Sequence, residues 1–95
     1  MIMRYICEWD DEKAASNLRK HGVSFEMAAE VFQDDNRIEC YDAEHSTTED
    51  RYITIGRVNA VLFVVYTERG RNIRLISARM ATAKERRIYY GHSLL

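Results

Sequence analysis

The run LISARMATAKERRIYY, Leu75–Tyr90, sets Arg79 between an apolar stretch and a helix-like one that carries Lys84, Arg86 and Arg87. An arginine fork matches two oxygens of a phosphate-type anion and stays charged at every working pH. At a strand-to-helix junction Arg79 would also lie close to helix N–H groups that favour an anion. Arg69, Arg71 and Arg74 precede it in the same block. The alternative for Arg79 is a surface ion pair with Glu85 or with an acid from the first half of the chain. For Lys84, Arg86 and Arg87 the alternative is a solvated helix face.

Proton transfer needs a different residue type. His21, at the end of a helix-like run, exchanges a proton near neutral pH and is the acid–base candidate on chemistry alone. It would equally cap carbonyls and pack beside Trp9. Lys20 either lends charge to a phosphate or complements the helix dipole. Glu49 is a candidate base, although Glu49 and Asp50 also read as loop charges that pair with Arg51. His45 sits in a polar loop and reaches a cleft only if that loop folds over it. His92 is given no chemistry.

A metal site is not expected. His21, His45, His92, Cys7 and Cys40 show no CxxC or HExxH spacing. No GxGxxG or GxxxxGK[ST] segment is present, and the glycines fall singly at 22, 56, 70 and 91, so no cofactor is expected either. Tyr41, Tyr52, Tyr66, Tyr89 and Tyr90 could stack on bases, which contributes about 1–3 kcal/mol per base. Core-edge packing with a wet hydroxyl is the commoner role.

What positions these residues must be one domain over residues 1–95. Hydrophobic residues make up 46%, which suits a globular chain. No stretch approaches the length of a membrane-spanning helix, and the start lacks a signal-like apolar run. A cytoplasmic setting is therefore expected, with Cys7 and Cys40 as buried thiols in strand-like runs. Residues 1–50 hold 13 Asp/Glu and 5 Lys/Arg, a balance of −8. Residues 51–95 hold 2 and 9, a balance of +7. The asymmetry predicts a basic surface from the second half, unless folding mixes the halves.

RYICEW, Arg4–Trp9, reads as a strand. Asp10 and Asp11 can cap a helix through EKAASNLRKH, with Ala14, Ala15 and Leu18 as its apolar stripe and Gly22 as its left-handed terminus. Ser24 opens a second helix, SFEMAAEVF, with Phe25, Ala28, Ala29 and Phe32 on one face. RIECY is a short strand and residues 42–50 a loop. RYITIG, VLFVVYT and NIRLISA follow as a meander, with VLFVV central. On alternation, Arg74 shares a face with Ile76, opposite Ile73 and Leu75. Thr82 and Glu85 have capping-box spacing for a last helix, whose Ile88, with Ala81, would face the sheet. The order β-α-α-β-β-β-β-α predicts an α+β layer: a mostly antiparallel sheet with N-terminal helices and a C-terminal helix packed on it.

The pattern W-D-x-x-K-x-x-x-N-x-x-K-H-G-V-S-F over Trp9–Phe25 resembles the opening of BrnT-type toxins. EDRYITIG at Glu49–Gly56 and the block from Val61 to Arg86 resemble later parts of the same family. The loop GRVNAVLF departs from it, with Asn59 and Ala60 where a glycine is common, and the tail YYGHSLL shows no match. The resemblance implies a RelE-like fold and a ribonuclease toxin of a type II toxin–antitoxin pair that shuts down translation. It implies a BrnA-type antitoxin partner with a ribbon-helix-helix region, through which the complex reaches operator DNA.

Metal-free RNA cleavage needs a base for the ribose 2′-OH, cationic donors for the phosphate and an acid for the leaving oxygen. Under this resemblance Arg79, Arg69, Lys20, His21 and Glu49 are the catalytic candidates. Arg74, Arg51, Lys84 and Arg86 are the RNA-binding ones. The role of Arg69, in a hairpin turn, rests on the resemblance alone. The competing expectation is a non-catalytic RNA- or DNA-associated corepressor subunit, in which the same arginines only position phosphate.

Overall fold

A computed structural model of the protein describes residues 6–93. In chain order it has β1 (Ile6–Glu8), α1 (Asp11–His21), α2 (Phe25–Glu30), β2 (Ile38–Tyr41), β3 (Tyr52–Arg57), β4 (Val61–Arg69), β5 (Asn72–Met80) and α3 (Ala83–Ser93). A single 3-10 turn, Val31–Gln33, continues α2. Of the predicted strand RYICEW, Ile6–Glu8 is strand and Trp9 lies beyond it, while Arg4 and Tyr5 lie outside the described residues.

The helix ends follow from local chemistry. Asp10 accepts a bond from the Glu12 N–H, and Gly22 closes α1 at φ 68° with its N–H on the Leu18 carbonyl. The Ser24 hydroxyl accepts from the Met27 N–H to start α2. At α3, Thr82 and Glu85 reciprocate: Thr82 N–H to Glu85 Oε1 at 2.8 Å and Glu85 N–H to Thr82 Oγ1 at 3.2 Å.

The strands form one sheet in the order β1-β5-β4-β3-β2. The loop 42–51 and the short turns 58–60 and 70–71 join β2 to β5 as antiparallel neighbours. By contrast, α1 and α2 carry the chain from β1 at one edge to β2 at the other, which leaves β1 to pair with β5 in parallel. The fold is thus α+β with a mostly antiparallel sheet. VLFVV is central as its two-sided apolar pattern required.

One face of the sheet packs on α1 and α2. Phe25, Ala28, Val31 and Phe32 meet Leu62, Val64, Tyr66, Ile73, Leu75 and Ala78 there. The opposite face is covered at one end by α3, where Tyr89 and Ala81 join Ile55 and Val61 with Phe63 packed alongside. Three local expectations fail. Leu18 is 50% exposed and Ala15 also faces solvent, so α1 buries Ala14 and Asn17 instead. In α3 the residue that meets the sheet is Tyr89, 4% exposed, while Ile88 faces out. Cys40 is exposed rather than buried. Cys7 and Cys40 lie on β1 and β2, the two edges of the sheet, and both are free thiols.

Candidate phosphate-binding face

Arg74 and Arg79 are five positions apart on β5, and strict alternation would send them to opposite faces. The register prevents this. Val65 pairs with Ser77 but Tyr66 pairs with Leu75, so Ile76 is an extra residue opposite no partner. Such a bulge shifts the alternation by one. Arg74 lies opposite Thr67 and Arg79 opposite Phe63, both on the β4 face turned away from α1 and α2. Simple alternation of Arg74 with Ile76 therefore describes β5 only as far as the bulge. The two arginines share a face, separated by four β4 positions or about 13 Å of strand.

Arg79 lies inside β5, one residue before its end, rather than at the junction with α3. Its guanidinium stacks 3.9 Å from the Phe63 ring centroid. It also forms a fork with Glu85: Nη1 to Oε1 at 2.8 Å and Nη2 to Oε2 at 3.0 Å. The same Glu85 Oε1 caps α3, so the helix start already holds an anion. The Arg79 hydrogen bond, partly opposed by burial, holds the Glu85 carboxyl below its ordinary value. The reciprocal bond raises Arg79.

Arg74 is held in the same manner. Parallel pairing sets Glu8 opposite it, and Nη1 reaches Glu8 Oε2 at 2.9 Å. Asn72 donates to the other Glu8 oxygen at 3.2 Å. Arg69 continues the side of Phe63, Val65 and Thr67 along β4, and its Nη2 stands 3.7 Å from Glu49 Oε2. Arg51 precedes β3, where the register continued by one residue sets it beside Thr67 and in line with Arg74. The loop before it is fastened: the Arg51 N–H donates to Ser46 Oγ at 2.8 Å and Thr67 Oγ1 donates to the Asp50 carbonyl at 2.6 Å.

Arg51, Arg69, Arg74, Arg79 and Glu49 thus collect along one face and its hairpin end. Lys20 and His21 do not join them. They end α1 in the other layer, exposed, and no hydrogen bond or ion pair links them to this group among the described residues. Lys84 is exposed on α3, and Arg86 donates to the Ala81 carbonyl at 2.9 Å. His45 turns back on Asp42, Nδ1 to Oδ2 at 2.9 Å. Among the described residues no three His, Cys, Asp or Glu side chains gather as metal ligands. The predicted basic surface is partly neutralised, because the acidic half supplies Glu8 and Glu49 to its arginines.

Sequence reasoning missed three residues here. Phe63 and Glu8 were signalled only by pairing across strands. Asn17 carried a local signal: a polar residue three positions after Ala14, on the face that must be buried.

Residues 9–85 match the family described as ribonuclease toxin, BrnT, of type II toxin-antitoxin system. No curated protein sequence matches. Among solved structures the chain is similar to the crystal structure of the Brucella abortus ribonuclease toxin BrnT. The identity is 26% and the TM-score 0.63, over 85% of this chain and 99% of that one.

Proposed function

The chain belongs to the BrnT family of ribonuclease toxins, and on that premise we propose that it is a metal-independent endoribonuclease that halts translation in the cytoplasm. Neutralisation by a BrnA-type ribbon-helix-helix antitoxin, which also carries the pair to operator DNA, is part of the proposal. The observation that carries it is the common face of Arg74 and Arg79, set by the bulge at Ile76.

RNA backbone laid along this face sets separate phosphates where carboxylates now occupy the guanidinium forks. Glu85 on Arg79 and Glu8 on Arg74 stand where phosphate oxygens would. Arg79, backed by Phe63, stabilises the charge that grows on the phosphate. Glu49 stands beside Arg69, six β4 positions or roughly 20 Å of strand from the Phe63 that backs Arg79, so it takes no step at the phosphate that Arg79 holds. The ribose 2′-oxygen gives its proton to solvent and bonds to phosphorus. The P–O5′ bond breaks and the 5′-oxygen takes a proton from solvent. The products are a 2′,3′-cyclic phosphate and a 5′-hydroxyl. Lys20 and His21 take no step in this scheme, while Arg51, Lys84 and Arg86 attract the RNA backbone.

Incubation of pure protein with a defined RNA in EDTA, followed by end analysis, tests the proposal. Cyclic phosphate ends in EDTA are expected. Cleavage lost in EDTA overturns the metal independence, and RNA binding without cleavage by the wild-type protein favours the corepressor alternative.

A further inference from the structure

The sheet face that packs on α1 and α2 ends in a row of tyrosines. Tyr41, Tyr52 and Tyr66 are register partners across β2, β3 and β4. Tyr41 meets Tyr52 edge-on at 5.6 Å and Tyr52 stacks on Tyr66 at 5.6 Å. With Glu39, Glu68 and Ile73 they line an open concavity of about 360 Å³. A second one, of about 470 Å³, shares Tyr52 and Glu68 and adds Glu49, Asp50 and Arg69.

The hydroxyls in this row are committed to acids. Tyr66 donates to Glu39 Oε1 at 2.9 Å and Tyr41 to Asp50 Oδ1 at 3.0 Å. Burial, then the charges of Glu68 and Asp50, raises Tyr52. Glu39, Glu49, Asp50 and Glu68 are set against Arg69, 3.7 Å from Glu49, and Arg37, 3.7 Å from Glu39. Negative charge is in excess. Tyr41 is 51% exposed, so an aromatic ring is presented to solvent in the middle of that charge. Beside it β2 is an edge strand that pairs, among the described residues, only with β3.

We propose that this tyrosine row is a docking surface for an extended, cationic segment of a protein partner. Lysine or arginine stems would lie on the rings, their charged ends would reach Glu39, Asp50 and Glu68, and the backbone would run beside β2. RNA is disfavoured because its phosphates would meet the same carboxylates. Burial of tyrosine with a charged rim is the pattern of protein interfaces. The inference does not depend on the proposed nuclease step, which is assigned to Arg79 on the opposite face.

The probe is a fluorescein-labelled octapeptide of alternating arginine and leucine, followed by anisotropy at low ionic strength. Glu39→Gln/Glu68→Gln and, separately, Tyr41→Ala should each weaken binding at least tenfold. Glu12→Gln/Glu26→Gln, the same charge change on α1 and α2, should alter it less than twofold. Equal losses in both double variants, or none in either, overturn the proposal. So does a Tyr41→Ala variant that loses affinity for a labelled single-stranded RNA and not for the peptide. Self-association of the wild-type chain that Tyr41→Ala abolishes would assign the surface to a second copy instead. Circular dichroism checks folding, and Glu68→Gln alone, at an exposed site, replaces the double variant if that unfolds.

Discussion

Asn17 holds Ala78 at both ends of its backbone: Nδ2 donates to the Ala78 carbonyl at 2.8 Å and Oδ1 accepts from the Ala78 N–H at 3.0 Å. β1 pairs with β5 only as far as Arg74. Beyond that point the β5 edge has no strand among the described residues, and the buried amide of α1 stands in for one. Nδ2 also donates to the Val23 carbonyl at 2.9 Å, which ties the α1–α2 turn to the sheet next to Arg79. Replacing Asn17 with Ala leaves buried backbone groups without partners, each costing about 1–3 kcal/mol. Urea denaturation of Asn17→Ala should show a loss of about 2–4 kcal/mol, and RNA cleavage should fall although Arg79 is intact.

Thr54 presents the reverse case. It is fully buried at the centre of β3, and its hydroxyl has no hydrogen-bond partner among the described residues. Valine has nearly the same shape and no polar group to desolvate. Thr54→Val should stabilise the protein by about 1 kcal/mol, read as a higher urea midpoint at unchanged slope. A lower midpoint would indicate a hydroxyl partner in solution.

Gly56 is required by close packing, not by its backbone angle. A Cβ there would sit 2.5 Å from Val31 Cγ1 and 3.2 Å from Arg37 Cβ. Gly56→Ala should cost about 1–3 kcal/mol through overpacking. In a double-mutant cycle with Val31→Ala the two losses should be less than additive, because the second change opens the space that the first needs.

Stability should fall at both pH extremes for nameable reasons. Glu85 is held low by Arg79. Burial alone would raise Asp34, but the Tyr89 hydroxyl at 2.6 Å and the N–H groups of Arg57 and Asn36 hold it low. Carboxyls lowered by folding stabilise above their unfolded values, and the contribution is lost as pH falls through the folded ones. The urea midpoint should therefore drop below about pH 4, and Glu85→Gln should flatten that drop. Tyr89 is pushed up to about 12 by burial and by Asp34. The folded state then holds its proton more tightly, so its contribution is intact below about pH 10 and lost as pH rises further. Tyr89→Phe should remove the alkaline component.

The caps were legible in the sequence because each is a local contract: Asp10, Gly22, Ser24 and the Thr82–Glu85 pair act within a few residues of their targets. The meander was legible from its short turns. The bulge was not, since Ile76 follows Leu75 between Arg74 and Ser77 with no glycine or other turn residue to mark an extra position. Its effect reaches the candidate site, because it alone brings Arg79 to the side of Arg74. Spacing could not decide between Tyr89 and Ile88 either. The Tyr89 hydroxyl is buried against Asp34, 55 positions away in sequence. The arginines were legible by type, but the carboxylates that hold them, Glu8 and Glu49, come from distant elements.

The most direct test of the nuclease proposal is single-turnover cleavage of a defined RNA by Arg79→Ala, with its urea midpoint measured alongside. Loss of the partly exposed pair with Glu85 should cost only about 1 kcal/mol of stability. Cleavage should fall at least about 100-fold. A folded Arg79→Ala protein that cleaves at the wild-type rate would contradict the assignment of this face as the active one.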